Sequence, residues 1–454
     1  MKVKKILASE IATLDSDVIN GGGTDVTEQI QAALDEALTC GGVHLVMDGA
    51  ALISTLHLHS NTTIECLSLD CGFFQKPHSR IGIISNREYG MKKAVYERKL
   101  KNITLIGGTY NQDCKNQDHT FFVSEEECKR KHYYGTELWT YGLEFYGVEN
   151  LTIRDLHVRN FTTFAVMIVG FKNVLIENVW FDLPDRKHAN NQDGLHFGGP
   201  GQYLTIRNVG GTVGDDFMNI GPDESDDVSD ITDVIVDGVY LDDADQGIRL
   251  LSRGTGRLDR VTIRNVTGTY RSFGFYINSW MPVGTYGSFG NIFFENIDLR
   301  ATDPNYDYRP PMLFSIGGNI ECMTFKNVKN HLPHDKRTLF EIGLPYHNYL
   351  DPLPEGTKPK MGTFIIDGLT VIEEDDNAKD AEYIQVYEPI DRLILREVLV
   401  LKHGEEKNGH LVAFKKNGEI GDLVLHDVMT KGFKSCVSEP YRVKRILSDS
   451  VTQE

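Results

Sequence analysis

Leu151-Thr152-Ile153-Arg154-Asp155-Leu156 is followed by Val174-Leu175-Ile176-Glu177-Asn178-Val179, and then by Leu204-Thr205-Ile206-Arg207-Asn208-Val209. Each stretch reads apolar, any residue, apolar, any residue, Asn/Asp/Gly, apolar. The unit returns as Val234-Ile235-Val236-Asp237-Gly238-Val239 and Val261-Thr262-Ile263-Arg264-Asn265-Val266, with weaker copies starting at Ile103, Ile292, Met323, Phe364, Leu393 and Leu423. From 151 to 423 the starts are spaced 23, 30, 30, 27, 31, 31, 41, 29 and 30 residues apart, a period too regular for chance.

Alternation within each copy puts its apolar residues on one face of a strand, and the Asn, Asp or Gly that follows supplies a turn. Second short runs follow in several units: Ala165 to Val169, Gly194 to Phe197, Phe217 to Ile220, Gly247 to Leu251, Gly274 to Ile277 and Met312 to Ile316. Such units have no helical pattern between their strands and cannot bury an apolar face alone, so each must stack on the next. That predicts an all-β fold, a parallel β-helix or solenoid. A propeller is the competing architecture, but its blades are longer and its antiparallel hairpins need Asn-Gly-type turns that are missing here.

Asp25 to Leu38 reads as an N-terminal capping helix over the open first rung. Asp25 and Glu28 have capping-box spacing, Ile30, Ala33, Leu34 and Leu38 form an apolar stripe, and Gly41-Gly42 ends it. The expected organisation is a single domain over 1–454, with a cap region over 1–50, rungs over 51–435 and a tail over 436–454. Two long insertions, Asn111 to Thr140 and His331 to Lys360, are rich in charge and aromatics. They are expected either to wall a cleft or to make a subunit contact, which leaves a homo-oligomer open.

The 454 residues carry 47 basic and 65 acidic side chains, a formal charge of −18. That balance repels phosphate backbones and anionic lipid, so neither nucleic acid nor membrane is an expected partner. No apolar run approaches the roughly 20 residues of a membrane helix. Met1 to Ala8 is too short for a secretory core before Glu10 and Asp15. Seven cysteines, Cys40, Cys66, Cys71, Cys114, Cys128, Cys322 and Cys436, lack metal-ligand spacing. Pairing of Cys66 with Cys71, or of Cys114 with Cys128, would close small loops; the plainer expectation is reduced thiols in a cytoplasmic protein. Neither a metal nor a cofactor is expected, since phosphate-loop, zinc and Ser-His-Asp signatures are all missing.

Three carboxylates hold matching places on consecutive units: Asp193 in Asn191-Gln192-Asp193-Gly194, and Asp215 and Asp216 in Gly214-Asp215-Asp216. Each group immediately precedes a second-strand run, so rungs stacked about 4.8 Å apart bring them to one edge. Crowded carboxylates raise the pKa of at least one of them, which leaves an acid beside bases. Glycosidic cleavage needs that pair, an acid for the leaving oxygen and a base for water.

At these residues the sequence resembles the polygalacturonase-like glycoside hydrolases, family 28, of the pectin-lyase-like superfamily. Asn191-Gln192-Asp193 and Gly214-Asp215-Asp216 look like that family's two acidic motifs. Gly23-Thr24-Asp25, the helix after it, Gly41-Gly42 and Val43-His44-Leu45-Val46 look like its amino-terminal cap, and the likeness runs from about Gly21 to Trp280. The resemblance implies a right-handed parallel β-helix and an inverting hydrolysis. Asp215 would be the general acid, Asp193 and Asp216 would hold and deprotonate water, and Asn191 would orient the group.

The departures bear on the substrate. Polygalacturonases carry a Gly-His-Gly where Asp245-Gln246-Gly247 stands here, and an Arg-Ile-Lys that grips a uronate where Tyr276-Ile277-Asn278 stands. Neutral Gln246, Tyr276 and Asn278 lack the charge-assisted contacts that select a uronic acid. His196, Asn219, Arg249 and Tyr276 each follow an apolar residue at the matching place of a second-strand run, which predicts one polar column on the outer face. Arg249 is then either a cation beside Tyr276 or a solvated strand arginine. Tyr276 and Trp280 suit the apolar face of a sugar. The leading expectation is a hydrolase of imported oligosaccharides, exo-acting on short chains. Its alternatives are a β-helix lyase, epimerase or fructan-type transferase, and a non-catalytic carbohydrate-binding or tailspike-like β-helix.

Overall fold

The computed structural model describes residues 3–87, 99–131, 136–185, 191–279, 281–302, 311–331, 338–343, 356–372, 382–402 and 408–454. The chain divides into two compact units, Met1–Asn219 and Ile220–Glu454. In the first, the strands Leu143–Arg159, Phe164–Asp182 and Asp193–Gly211 pair in parallel, with Ile153, Ile176 and Ile206 in one row. In the second, Ile231–Leu251, Arg257–Asn278 and Ser288–Ala301 pair likewise, with Val236, Ile263 and Phe294 in one row. Antiparallel pairing joins Thr120–Phe122 to Glu137–Trp139, inside the first insertion, and not the rungs. Parallel ladders at these repeats are those of a β-helix and not of propeller blades.

The fifth place of the repeat explains why the chain turns where it does. In the first unit Gly107, Asp155, Asn178 and Asn208 have φ of 72°, 57°, 53° and 49°. In the second, Gly238, Asn265, Asn296, Asn327, Gly368, Glu397 and Asp427 have φ of 84°, 58°, 56°, 52°, 82°, 49° and 51°. This is the left-handed region, which glycine enters freely and which Asn and Asp tolerate by bonding locally. Here the amides also bond to one another. Asn178 Nδ2 donates to Asp155 Oδ1 at 2.7 Å, and Asn208 Nδ2 donates to Asn178 Oδ1 at 3.3 Å. In the second unit Asn265 donates to Asp237 at 2.6 Å, Asn296 to Asn265 at 3.0 Å and Asn327 to Asn296 at 3.1 Å. A parallel ladder at another corner of the first unit runs from Asn173 through Asn150 and Asn102 to Asn61.

Between the corners, apolar rows fill the interior. In the second unit Phe275 stacks on Phe314 at 4.6 Å and Phe314 on Phe340 at 4.9 Å, both nearly coplanar, while Phe294 stacks on Phe325 at 5.1 Å. All five rings are fully buried, each contributing about 1.5–3 kcal/mol of apolar burial.

The capping helix differs in detail from its sequence pattern. Thr27–Asp35 is helical, and a second short helix, Ala37–Cys40, follows Glu36. Val26 is the N-cap, and no side chain caps it. Asp25 is held one residue too early by a bridge to Leu52, so its carboxylate accepts from Thr27 N at 3.0 Å and Thr27 Oγ1 at 2.6 Å. Ile30, Ala33 and Leu34 are buried as the stripe requires, whereas Leu38 is exposed beyond the break. Gln31 docks the helix by exchanging bonds with the His57 backbone. Gly41 at φ 93° ends the second helix. No helix among the described residues is long and apolar enough to cross a membrane.

The first insertion carries the helix Glu125–Lys131 and packs Leu138 against Tyr146 and Val169. Most of the second insertion lies outside the described residues. All seven cysteines are free thiols.

Two expectations follow from the corners and the thiols. Asn296→Ala should lower stability by about 1–2 kcal/mol, and Asn296→Gly by less, because glycine keeps the left-handed turn but loses the ladder bond. Thermal midpoints in the order Asn, Gly, Ala meet this expectation; an alanine variant that melts like the native chain contradicts it. Burial pushes the Cys66 thiol up to about 12, with Cys71 adding to it, and pushes Cys114 and Cys436 up to about 11. A short iodoacetamide pulse at pH 8 should therefore label half-buried Cys40, Cys128 and Cys322 before those three. Peptide mass spectrometry reads the order, and early labelling of Cys66 would count against it.

Candidate active site

Within the first unit, Asp193 opens the strand Asp193–Gly211 directly opposite Phe164, and its N–H donates to the Thr163 carbonyl at 2.8 Å. The exposed Asn191 before it turns the chain at φ 52°. Gly194 has a steric reason: a Cβ there would stand 2.6 Å from the Phe217 carbonyl of the next rung. Counting along both strands from that contact matches Asp193 with Asp216 and His196 with Asn219. The loops ahead of the strands are joined as well, since the Gln192 carbonyl accepts from Gly214 N at 2.8 Å and Asp215 N at 3.3 Å. Asp193 and Asp216 are 3% and 2% exposed, whereas Asp215 is only half-buried. Thus two carboxylates are sunk in the wall and one stands nearer solvent.

His196, 4% exposed, donates or accepts through Nδ1 with Asp193 Oδ2 at 3.0 Å. Its ring lies flat on Phe164, centroids 3.9 Å apart and planes at 8°. Tyr141 covers the same Phe164 ring at 5.1 Å and 18°, and Trp139 meets it edge-on at 6.4 Å. Beneath these aromatics lies a buried ion pair. Arg87 donates to Glu144 Oε2 through Nε at 2.9 Å and Nη2 at 2.6 Å, with its guanidinium 5.7 Å from the Tyr141 centroid. Glu144 also accepts from Gly82 N at 3.0 Å, and Arg87 Nη2 donates to the Trp139 carbonyl at 2.9 Å. Burial alone would disfavour the Arg87 charge, but Glu144, with Tyr146 and Tyr141, offsets it and holds the guanidinium's pKa above its ordinary value.

In the second unit, Ile248 pairs with Phe275 and Arg249 with Tyr276, so the inward and outward residues alternate as the sequence predicts. The Arg249 guanidinium lies 5.3 Å from the Tyr276 centroid, close enough for a cation–π contact. Tyr276 in turn stacks on Phe273 at 4.4 Å and 6°, and is buried. Gln246 is half-buried opposite Phe273. Asn278 is wholly buried, and neither of its amide atoms has a hydrogen-bond partner among the described residues. Trp280 lies outside the described residues. The column continues beyond Tyr276 through Ser315, Glu341 and Gln385. No group of three or more His, Cys, Asp or Glu residues is disposed to hold a metal ion among the described residues.

Acidic side chains at matching places on adjacent rungs are the arrangement that acid–base cleavage of a glycosidic bond calls for. The sequence profile of glycosyl hydrolases family 28 matches residues 70–306, more than half of the chain, and the chain belongs to that family. It is a glycoside hydrolase of the polygalacturonase-like type. None of the curated proteins matches the chain significantly. Among solved structures it is similar to the tailspike protein of E. coli bacteriophage HK620, at 10% identity and a TM-score of 0.52 over 94% of this chain and 76% of that one. That likeness places the fold among the right-handed parallel β-helices. A hyperthermoactive exopolygalacturonase from Thermotoga maritima aligns at 15% identity and a TM-score of 0.48, covering 99% of this chain and 92% of that one. The family 28 exopolygalacturonase of Yersinia enterocolitica aligns at 13% and 0.44, covering 100% and 78%.

Sequence reading missed the supports of this group: Phe164, Tyr141, Trp139, Arg87 and Glu144. Phe164 had a signal, since it stands just ahead of the run Ala165 to Val169, where Asp193 and Asp216 stand on their own rungs. Arg87 and Glu144 had none. Removing one partner of so buried a pair leaves an uncompensated charge. Glu144→Gln should cost about 3–5 kcal/mol, with Arg87→Met in the same chain recovering part of it. Chemical denaturation of the single and double variants measures this, and additive losses would contradict the pairing.

Proposed function

We propose that the chain hydrolyses a glycosidic bond of an oligosaccharide with inversion, using Asp215 as general acid and Asp193 and Asp216 as the base. The observation that supports this reading most is the stacking of the two acidic segments through the Gln192 carbonyl, with Asp215 left the more exposed. In the reaction the Asp215 proton goes to the departing glycosidic oxygen as its bond to the anomeric carbon breaks. Water attacks that carbon from the opposite face and gives its proton to the Asp193–Asp216 side. One water is consumed, and the anomeric configuration is inverted. Asn191 orients this group from the turn.

For the substrate, we propose a neutral or only partly acidic sugar. Asn219 Oδ1 in the first unit and the whole Asn278 amide in the second are buried without hydrogen-bond partners among the described residues. Buried amides of this kind cost free energy until a ligand satisfies them, and sugar hydroxyls donate and accept as they require. In the second unit Gln246 and Tyr276 also offer neutral polar contacts, and Arg249 is the cation beside Tyr276.

The test is incubation with oligogalacturonate, rhamnogalacturonan, galacto- and xylo-oligosaccharides, with products followed by mass and by NMR of the anomeric proton. A product heavier by one water and inverted at the anomeric carbon supports the proposal. An unsaturated product indicates a lyase. Asp215→Asn should lower kcat by at least 10³-fold while the circular dichroism spectrum and melting temperature stay native-like. Near-normal turnover by that variant removes Asp215 from the acid role.

A further inference from the structure

We propose that His196 is a positioning residue: it fixes the orientation of the Asp193 carboxylate and keeps it anionic, so that it stands ready to receive the proton of water. This rests on the hydrolytic reading above and assigns His196 to the base rather than to the sugar. Three observations lead there. The Nδ1 to Oδ2 distance of 3.0 Å is that of a hydrogen bond between two side chains that are each nearly sealed from solvent. In such surroundings a donor to a carboxylate strengthens, and its loss is costly. The imidazole is also immobilised, because Phe164 lies flat against it and Tyr141 backs Phe164 from its own rung. A ring clamped by its face can swing neither toward a sugar nor away from Asp193.

The third observation is where that clamp is anchored. Tyr141 is faced by the Arg87 guanidinium, which Glu144 and the Trp139 carbonyl hold in place. A continuous series of contacts therefore runs from a buried ion pair to the carboxylate that takes the proton. Among the described residues, Asp193 on its own strand is the carboxylate bonded to His196, and Asp216 holds the place matching Asp193 on the next rung. On the other side Met167 lies opposite His196, and Glu144, opposite Met167, is already paired with Arg87. Bonded to a carboxylate, the imidazole N–H is drawn to Asp193, and Asp193 gains a donor that favours its ionised form.

The pairing can be read without any substrate. In 15N spectra of the histidine side chains, the His196 titration midpoint should fall when Asp193 is replaced by Asn, since the imidazole loses its carboxylate. An unmoved midpoint overturns the proposal. Kinetics on whichever glycan of the panel is hydrolysed supply the second arm. His196→Phe keeps the flat stack on Phe164 but removes the donor. Its kcat should drop roughly 10–100-fold with KM changed less than about threefold. The acid limb of its pH–rate profile should move up by about one unit, because a base without its donor ionises later. His196→Asn places an amide N–H near the Nδ1 position and should recover most of kcat and return the acid limb. A phenylalanine variant with native kcat and an unshifted limb overturns the proposal. A variant with native kcat but a raised KM does so too, for it shows a contact to sugar. Failure of the native chain on every glycan counts against the hydrolytic reading, and the titration alone then decides the pairing.

Discussion

One residue per rung must sit at positive φ, and each unit depends on that requirement. A strand that runs straight on cannot return to stack upon itself; the left-handed residue after the fourth place of the repeat bends it. Where that residue is Asn, as at Asn178, Asn265 and Asn296, its side chain also bonds to the rung beneath. Each ladder bond contributes only about 0.5–1.5 kcal/mol, yet it sets register as well as stability. Because a one-residue slip would turn every apolar side chain outward, register is what lets the phenylalanine rows form. Packing of the interior thus follows from the corners.

The same stacking gives the acidic group its form. Asp193 and Asp216 stand at the entrances to adjacent second strands, and the close approach of Phe217 to Gly194 leaves no room for a side chain between them. The glycine of this Asp-Gly sequence is therefore required by the backbone. Buried carboxylates need compensation, and His196 supplies part of it for Asp193. The aromatic layer of Phe164, Tyr141 and Trp139 covers that side, and the Arg87–Glu144 pair lies behind it.

How much of this was legible in the sequence depended on the range of each interaction. The rungs and their turns were readable because the alternation and the Asn/Asp/Gly place are local patterns that repeat. That Asp193 and the Asp215-Asp216 pair lie on adjacent rungs was readable because matching places in a repeat become neighbours in space. Outward alternation was readable for Arg249 and Tyr276 for the same reason. By contrast, Arg87 and Glu144 meet across 57 residues, and nothing in the rung period ties Arg87 to a place. The capping box failed for a tertiary reason, since the bridge from Asp25 to Leu52 outweighed a local helix signal. His196 was placed on the polar face, but its partner was not foreseen, because an Asp three residues back along a strand faces the same way only when the strand entrance is bent.

The outer column of the second unit, from Arg249 through Tyr276, Ser315 and Glu341 to Gln385, takes one side chain from each rung. A substitution in it changes what one rung presents while the corner turns stay as they were. Ligand preference is in this sense modular: a lineage can exchange a cation for an amide or a phenol at one step of the stack without refolding its neighbours. Neutral Tyr276 beside the cation Arg249 is the kind of step from one rung to the next that such a scaffold permits at low cost.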